Sequence, residues 1–561
     1  MKTRLKPEIL GGWLIVLPLL ACAESLPKQA AIASADPLAT KAGMEILDQG
    51  GNAFDAAVAV SAALAVVEPA SSGLGGGAFW LMHVAAQDRN IFVDAREVAP
   101  ETATVNMYLD EQGEPRPYGS LDGPLAAGIP GEPAGLVFLA DRYGRLPLAQ
   151  SLAPAIRYAE NGFSASRRTL MGLRFRKRAY EQWPAFKKVF LPEGKIPEIG
   201  AVIRQPDLAR TLRRLAKNGF DGFYRGQTAK LLIDGVRDAG GIWTAEDLLN
   251  YEVIEREPIT FEYRGVQIIS APPPSSGGVA LASIFNVLEG FNLQDIDSAT
   301  RKHLIVEAMR RAYRDRAEYL GDPDFVEIPV ARLTHPYYAA GQRGSIRPDQ
   351  ATRSTSLSGV RPQKTTGSQT THISVLDREG NRVAGTMSIN TWYGAGFMAP
   401  GTGVILNNEM DDFVIKPGTP NEYGLIGAAA NAIAPGKRML SSMSPTFLES
   451  DRGLAILGTP GGSRIITMVL LAGLEWIDGA DASEMVNLKR YHHQFLPDEL
   501  VFEKGALSID EQQALRSRGH RLSETRRIFG NMNVVTWDYE TGKVEAVTDP
   551  RGQGEGQVRL Y

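Results

Sequence analysis

Gln369-Thr370-Thr371-His372-Ile373-Ser374 marks a change of character in this chain. Ahead of it, the stretch from Arg347 to Ser368 holds almost nothing to pack, as in Arg347-Pro348-Asp349-Gln350-Ala351-Thr352-Arg353-Ser354. So little apolar surface does not offset the entropy of ordering a backbone, and the segment is expected to be exposed and flexible. Beyond the junction, His372-Ile373-Ser374-Val375-Leu376-Asp377 alternates as a strand does. A cut after Gln369 would leave Thr370 with a free α-amine, a built-in general base for its hydroxyl. Taken alone, the junction is an ordinary loop-to-strand boundary.

Its surroundings add chemistry. Asp377-Arg378-Glu379-Gly380-Asn381 is turn-forming, and Val383 to Asn390 reads as a returning strand. Paired as a hairpin, the two strands bring Thr370 opposite Ser388 to Asn390, a second hydroxyl and a carboxamide. Further on, Leu454 to Thr459 is strand-like and Ile465 to Trp476 helix-like, with Pro460-Gly461-Gly462-Ser463-Arg464 between them. Paired glycines ahead of a helix start let backbone N–H groups approach an anion, the requirement of an oxyanion hole.

With these residues in view, the second half resembles the small subunit of the γ-glutamyltransferase (glutathione hydrolase) family, a branch of the N-terminal-nucleophile hydrolases. The matching stretches are Thr370 to Val375, Leu406-Asn407-Asn408-Glu409-Met410-Asp411-Asp412-Phe413, Ser441-Ser442-Met443-Ser444-Pro445-Thr446, Pro460 to Arg464, His492 to Asp498 and Asp549-Pro550-Arg551. The first half agrees through Gly50 to Ala57, Gly75-Gly76-Gly77, Arg96-Glu97-Val98-Ala99-Pro100, Trp243 to Leu248 and Pro274 to Gly278. The likeness runs in one order from about Ala31 to the C-terminus.

The resemblance implies an α+β fold, the four-layer αββα sandwich of N-terminal-nucleophile hydrolases, whose layer order the sequence itself leaves open. It implies a large subunit, 23–369, and a small one, 370–561, cut from one precursor and sharing one fold unit. Thr370 would then be the nucleophile, first in self-cleavage after Gln369 and afterwards on the γ-amide of glutathione or another γ-glutamyl compound. Water or an amino acid or peptide acceptor would resolve the acyl-enzyme. Gly461 and Gly462 would hold the oxyanion. Ser388, where the family usually has threonine, would contact the Thr370 amine. A γ-glutamyl group also displays an α-carboxylate and an α-ammonium. Arg96, Ser441 and Ser442 suit the first, and Glu409, Asp412 and Asn390 the second. Tyr423 matches a lid tyrosine that closes over the pocket onto Asn390. Cephalosporin or glutaryl acylases of the same fold are the alternative, and Glu409, Asp412 and the lid argue against them. An inactive surface-anchored binding lipoprotein is a second alternative, against which stand Thr370, Ser388, Gly461 and Gly462.

Composition excludes other classes. With 561 residues, 43% of them hydrophobic, and a formal charge of −4, the chain has ample core and no basic excess for nucleic acid. The run Arg167, Arg168, Arg174, Arg176, Lys177 and Arg178 is expected to be a solvated helix face. Gly73 to Ala78 formally fits a dinucleotide fingerprint but follows a helix and precedes a strand, the reverse of the required order. His492-His493 would point to opposite faces of a strand, which suits packing better than metal binding. No cofactor or metal is called for. Arg301 to Tyr319 is expected to be an amphipathic helix with Leu304, Ala308, Ala312 and Leu320 on one stripe.

Residues 1–22 read as a signal segment: Lys2, Arg4 and Lys6 precede the apolar run Ile9 to Ala21. The single cysteine, Cys22, follows Leu19-Leu20-Ala21, as at a bacterial lipoprotein processing site; the competing reading is cleavage after Ala23. A lone thiol with no disulfide to make favours lipidation. The expectation is an exported, periplasmic protein with a lipid anchor to the outer membrane of a Gram-negative bacterium.

Overall fold

The computed structural model of the chain describes residues 26–357, 370–526 and 529–561. The readings made on the signal segment, Cys22 and Gln369 lie outside the described residues. The expected hairpin is present: Thr371 pairs with Met387 and Leu376 with Arg382, so Thr370 comes level with Ser388. Asp377 closes its turn by accepting from the N–H groups of Glu379 (2.9 Å) and Asn381 (3.0 Å). The same carboxylate accepts from Ala53 N–H (2.9 Å), which ties the hairpin to a helix start.

Two large antiparallel sheets surround this hairpin. In chain order their strands are β1 (Gln29–Ser34), β2 (Gly77–Val84), β3 (Arg89–Ala95), β4 (Ile254–Arg256), β5 (Ile259–Tyr263), β6 (Val266–Ser270) and β7 (Thr371–Leu376). There follow β8 (Arg382–Ser388), β9 (Thr446–Ser450), β10 (Gly453–Gly458), β11 (Asn533–Asp538), β12 (Val544–Thr548) and β13 (Glu555–Leu560). One sheet runs β13-β1-β7-β8-β2-β3-β4 and the other β12-β11-β10-β9-β6-β5. Strands from before and after residue 369 are interleaved, with β1 held between β13 and β7.

Helices α1 (Pro37–Asp48) and α2 (Ala53–Val67) cover the first sheet. The second is covered by α3 (Gly277–Leu288) and α5 (Ile465–Ile477), with α4 (Ser298–Tyr319) packed against α3. Side chains alternate accordingly along β2. Trp80 and Met82 join the core under α1 and α2, while Phe79 and Leu81 join the core shared with the second sheet. Both faces being covered, every residue of β2 is buried. This is the α+β four-layer αββα sandwich.

Three expectations need correction. The helix expected over Arg301–Tyr319 forms as α4, but it is buried nearly all round and Leu320 is its cap. Its charges turn inward as matched pairs, Glu307 lying 2.7 Å from Arg311 and 3.3 Å from Arg310. A periodicity reading counts such charges as exposure. The basic run is only partly solvated. Arg168 pairs with Glu68 (2.8 Å), and Arg176 pairs with Asp122 (3.0 Å) and donates to the carbonyls of Leu121, Trp392 and Gly394. Finally, of the stretch expected to be exposed and flexible, residues 347–357 are mostly exposed but pinned, and 358–368 lie outside the described residues. The N–H groups of Ala351, Thr352 and Ser354 bond to Arg518 O (2.7 Å), Glu307 (3.0 Å) and Asp498 (2.8 Å). Backbone hydrogen bonds hold it where apolar contacts do not.

Candidate active site

A narrow cavity of about 20 Å³ is lined by Arg96, Thr370, Ser388, Asn390, Glu409, Asp412, Tyr423, Ser441, Ser442 and Gly462, with Leu425, Met443 and Ile465. Every site residue read from the sequence within the described residues is in that lining except Gly461, one step from Gly462. Thr370 is buried directly ahead of β7. Ser388 ends β8, and its Oγ accepts from Asn390 N–H (2.8 Å). Asn390 takes a left-handed conformation, φ 70°, which asparagine tolerates, and its Nδ2 donates to Asn408 O (2.8 Å).

Arg96 follows β3 and is 1% exposed. Its N–H bonds Asp94 Oδ1 (3.0 Å) and its carbonyl accepts from Tyr251 OH (2.8 Å), so the backbone is fixed before the side chain begins. The guanidinium then meets Glu409 (2.8 Å), Asp412 (2.7 Å) and Glu97 (3.5 Å). One cation facing three carboxylates is an unbalanced set. Burial pushes Glu97 well above the usual carboxylate range, with Glu409 adding to the rise. Burial also raises Glu409 to about 7 despite Arg96, with Asp412 reinforcing the shift.

Gly461 (φ 153°) and Gly462 (φ 57°) adopt conformations that side chains disfavour, and a Cβ on Gly462 would run into the Tyr423 ring. Among the described residues, neither glycine N–H has an acceptor. The turn leads into α5 at Ile465, so two free donors stand ahead of a helix start. Behind it, Ser463 Oγ donates to Gln494 Oε1 (2.7 Å), and Gln494 Nε2 donates to Tyr423 O (3.1 Å). Tyr423 OH donates to Asn390 O (2.8 Å) and touches the Asn390 side-chain carbonyl. The glycine turn and the Tyr423 segment therefore share one glutamine.

Several participants had been given no role. Asn421 builds the turn before Tyr423 by accepting from Tyr423 N–H (3.0 Å) and Leu425 N–H (3.1 Å), and it donates to Asp412 (3.0 Å). Its signal was the turn chemistry of Pro420-Asn421-Glu422. Thr371 Oγ1 donates to Glu68 (2.7 Å), anchoring the residue after Thr370 to the end of α2. Glu97 lies in the Arg96-Glu97-Val98-Ala99-Pro100 motif, and nothing local marks its place at the Arg96 guanidinium beside the charge of Glu409. His492 and His493 do serve packing, through Thr467 and Gln494 for the first and Asp498 for the second. Away from the cavity, His303, Glu307 and His520 approach one another closely enough to share an ion. Glu307 is already held by two arginines and His303 by His520 (2.7 Å), and a cation there would face Arg310 and Arg311.

Residues 39–558 match the family model described as Gamma-glutamyltranspeptidase. The chain is 45% identical over 498 residues to a glutathione hydrolase proenzyme of Pseudomonas sp. (strain A14), covering 88% of this chain and 86% of that protein. It is 42% identical over 532 residues to the glutathione hydrolase proenzyme of Escherichia coli (strain K12), covering 93% and 90%. Among solved structures, the cephalosporin acylase from Bacillus halodurans superposes with a TM-score of 0.82 over 95% of this chain and 96% of that one, at 29% identity.

Proposed function

The chain belongs to the γ-glutamyltranspeptidase family, and on that premise we propose how its cavity works. The protein is a γ-glutamyltransferase/glutathione hydrolase made as a precursor. In self-processing, the Thr370 hydroxyl attacks the Gln369 carbonyl; the peptide C–N bond breaks as the ester forms, and the nitrogen takes the hydroxyl proton. Water then hydrolyses the ester, leaving a large fragment that ends at Gln369 and a small one, 370–561, the second with a free threonine amine. In turnover the same hydroxyl attacks the γ-amide carbon while that amine accepts its proton. The Gly461 and Gly462 N–H groups hold the oxyanion, each worth about 3 kcal/mol. The amine leaves protonated, and water or an amino acid or peptide amine takes the γ-glutamyl group from Thr370. Arg96, Ser441 and Ser442 receive the α-carboxylate; Glu409, Asp412 and Asn390 receive the α-ammonium.

One observation carries this reading: Thr370 shares its cavity with both a cation and two carboxylates. A zwitterionic α-amino acid needs that pairing and a glutaryl group does not. The experiment is a gel of the purified protein followed by cleavage of γ-glutamyl and glutaryl anilides. Two fragments, the smaller starting at Thr370, and a preference for γ-glutamyl are expected. Glutaryl turnover at least as fast would favour the acylase reading, and an uncut, inactive chain the binding lipoprotein. We further propose export to the periplasm with lipid on Cys22. Cys22→Ser should then move the protein from the membrane fraction to the soluble one, and a mature chain starting at Glu24 would refute lipidation.

A further inference from the structure

Seven arginines among the described residues are buried: Arg96, Arg310, Arg311, Arg316, Arg382, Arg438 and Arg490. Six have a carboxylate within 3.4 Å. Arg316, on α4, has none. Its partners are hydroxyls: Nε donates to Ser276 Oγ (3.1 Å) and a terminal nitrogen to Ser442 Oγ (3.4 Å). Burial alone would favour its neutral form, and Asp412 in the cavity lining is the carboxylate that acts against this. A buried cation without its counter-ion is costly, and an anion delivered to the same place would relieve that cost.

The hydroxyls lead to the cavity. Ser276 Oγ accepts from Arg316 and donates to Ser441 O (2.7 Å), and Ser276 N–H bonds the same carbonyl (2.8 Å). Ser441 Oγ accepts from Met443 N–H (3.1 Å), as Ser442 Oγ accepts from Arg316. Both serines thus receive hydrogen bonds from behind, leaving their own hydroxyl hydrogens for a ligand in front. Such chains polarise the outermost donor. Arg96, also in the cavity lining, already faces three carboxylates.

We infer that Arg316 is a positioning residue of the donor's α-carboxylate subsite, aligning Ser441 and Ser442 as donors and supplying the charge that balances the carboxylate. The inference rests on the γ-glutamyl reading proposed above. Its test compares γ-glutamyl p-nitroanilide with 4-aminobutyryl p-nitroanilide, which keeps the ammonium and lacks the α-carboxylate. Arg316→Gln should raise KM for the first about 30-fold with kcat within about threefold, the scale of one hydrogen bond to a charged group. For the second, kcat/KM should stay within about threefold of the parent. Arg316→Lys keeps the charge and should recover most of the loss, and Ser276→Ala should show a smaller loss of the same kind. Equal losses for both donors in Arg316→Gln, as a merely structural role would give, overturn the inference, as does an unmoved KM. Should Arg316→Gln fail to fold, an unchanged ratio of the two donors in both Arg316→Lys and Ser276→Ala overturns it. A parent enzyme that does not cleave the γ-glutamyl anilide would instead refute the proposed function.

Discussion

Glu307 and Glu409 are both buried and each has an arginine within 2.8 Å, yet their carboxyls are shifted in opposite directions. Glu307, on α4, is held down to about 2 because Arg310, Arg311 and the Thr352 N–H outweigh its burial. Glu409, in the cavity, is pushed up to about 7 because burial, with Asp412 reinforcing it, outweighs its single arginine. A buried ion pair therefore says little by its distance; the number of cations per carboxylate decides its state. The α4 cluster is saturated with positive charge and closed. The cavity is short of it, and on the proposed reading an arriving ammonium would supply what is missing.

The severest break with this picture would come at Thr370. If the cavity charges serve substrate and the hydroxyl serves the cut, Thr370→Ala should remain one chain with no detectable amidase activity. Cleavage after Gln369 persisting in that variant, refolded free of proteases, would place the nucleophile elsewhere. The saturated side is sharpened by Glu307→Gln, which strands two guanidiniums. Unfolding should become easier by about 3–5 kcal/mol, read from a denaturant midpoint, with γ-glutamyl KM nearly unchanged. Because this folded-state carboxyl lies below its ordinary 4.5, its contribution is full above that pH and is lost as pH falls toward about 2. An unshifted midpoint would contradict the contrast.

On the cavity side, Asp412→Asn keeps shape and removes one anion. Cleavage of a γ-glutamyl anilide should fall by about two orders of magnitude in kcat/KM while self-cleavage survives, and the gap to glutaryl substrates should narrow. An unchanged gap would remove Asp412 from the ammonium contact. The smallest effect is in pH. Glu409 accepts an ammonium only when ionised, so kcat/KM should drop by up to about tenfold per unit as pH falls below about 7. A Glu409→Gln profile retaining that same limb would assign it to another group.

How much of this could be read from the chain follows the reach of each interaction. The hairpin around Asp377 and the Gly461-Gly462 turn are local, and spacing alone brought Thr370 beside Ser388. Their partners across the cavity, Arg96 from the first half above all, came only through resemblance. Arg168, Arg176 and Arg316 were illegible because each finds its partners at sequence separations of about 40 to 220 residues. On a helix pattern an arginine looks the same whether it meets water or a buried serine. The all-round burial of α4 went unread for that reason.

The interleaved strands have one further consequence. With β1 clasped between β13 and β7, a cut at Thr370 leaves two pieces that cannot separate without unravelling the sheet. Before the cut, refolding is the affair of one molecule; afterwards two must meet, and yield becomes a matter of concentration. Refolding of the mature protein should therefore fail on dilution where uncut Thr370→Ala succeeds, and equal yields would show that the pieces regain their fold independently. An enzyme matured by that cut would endure through the slowness of its unfolding, not through its capacity to form again.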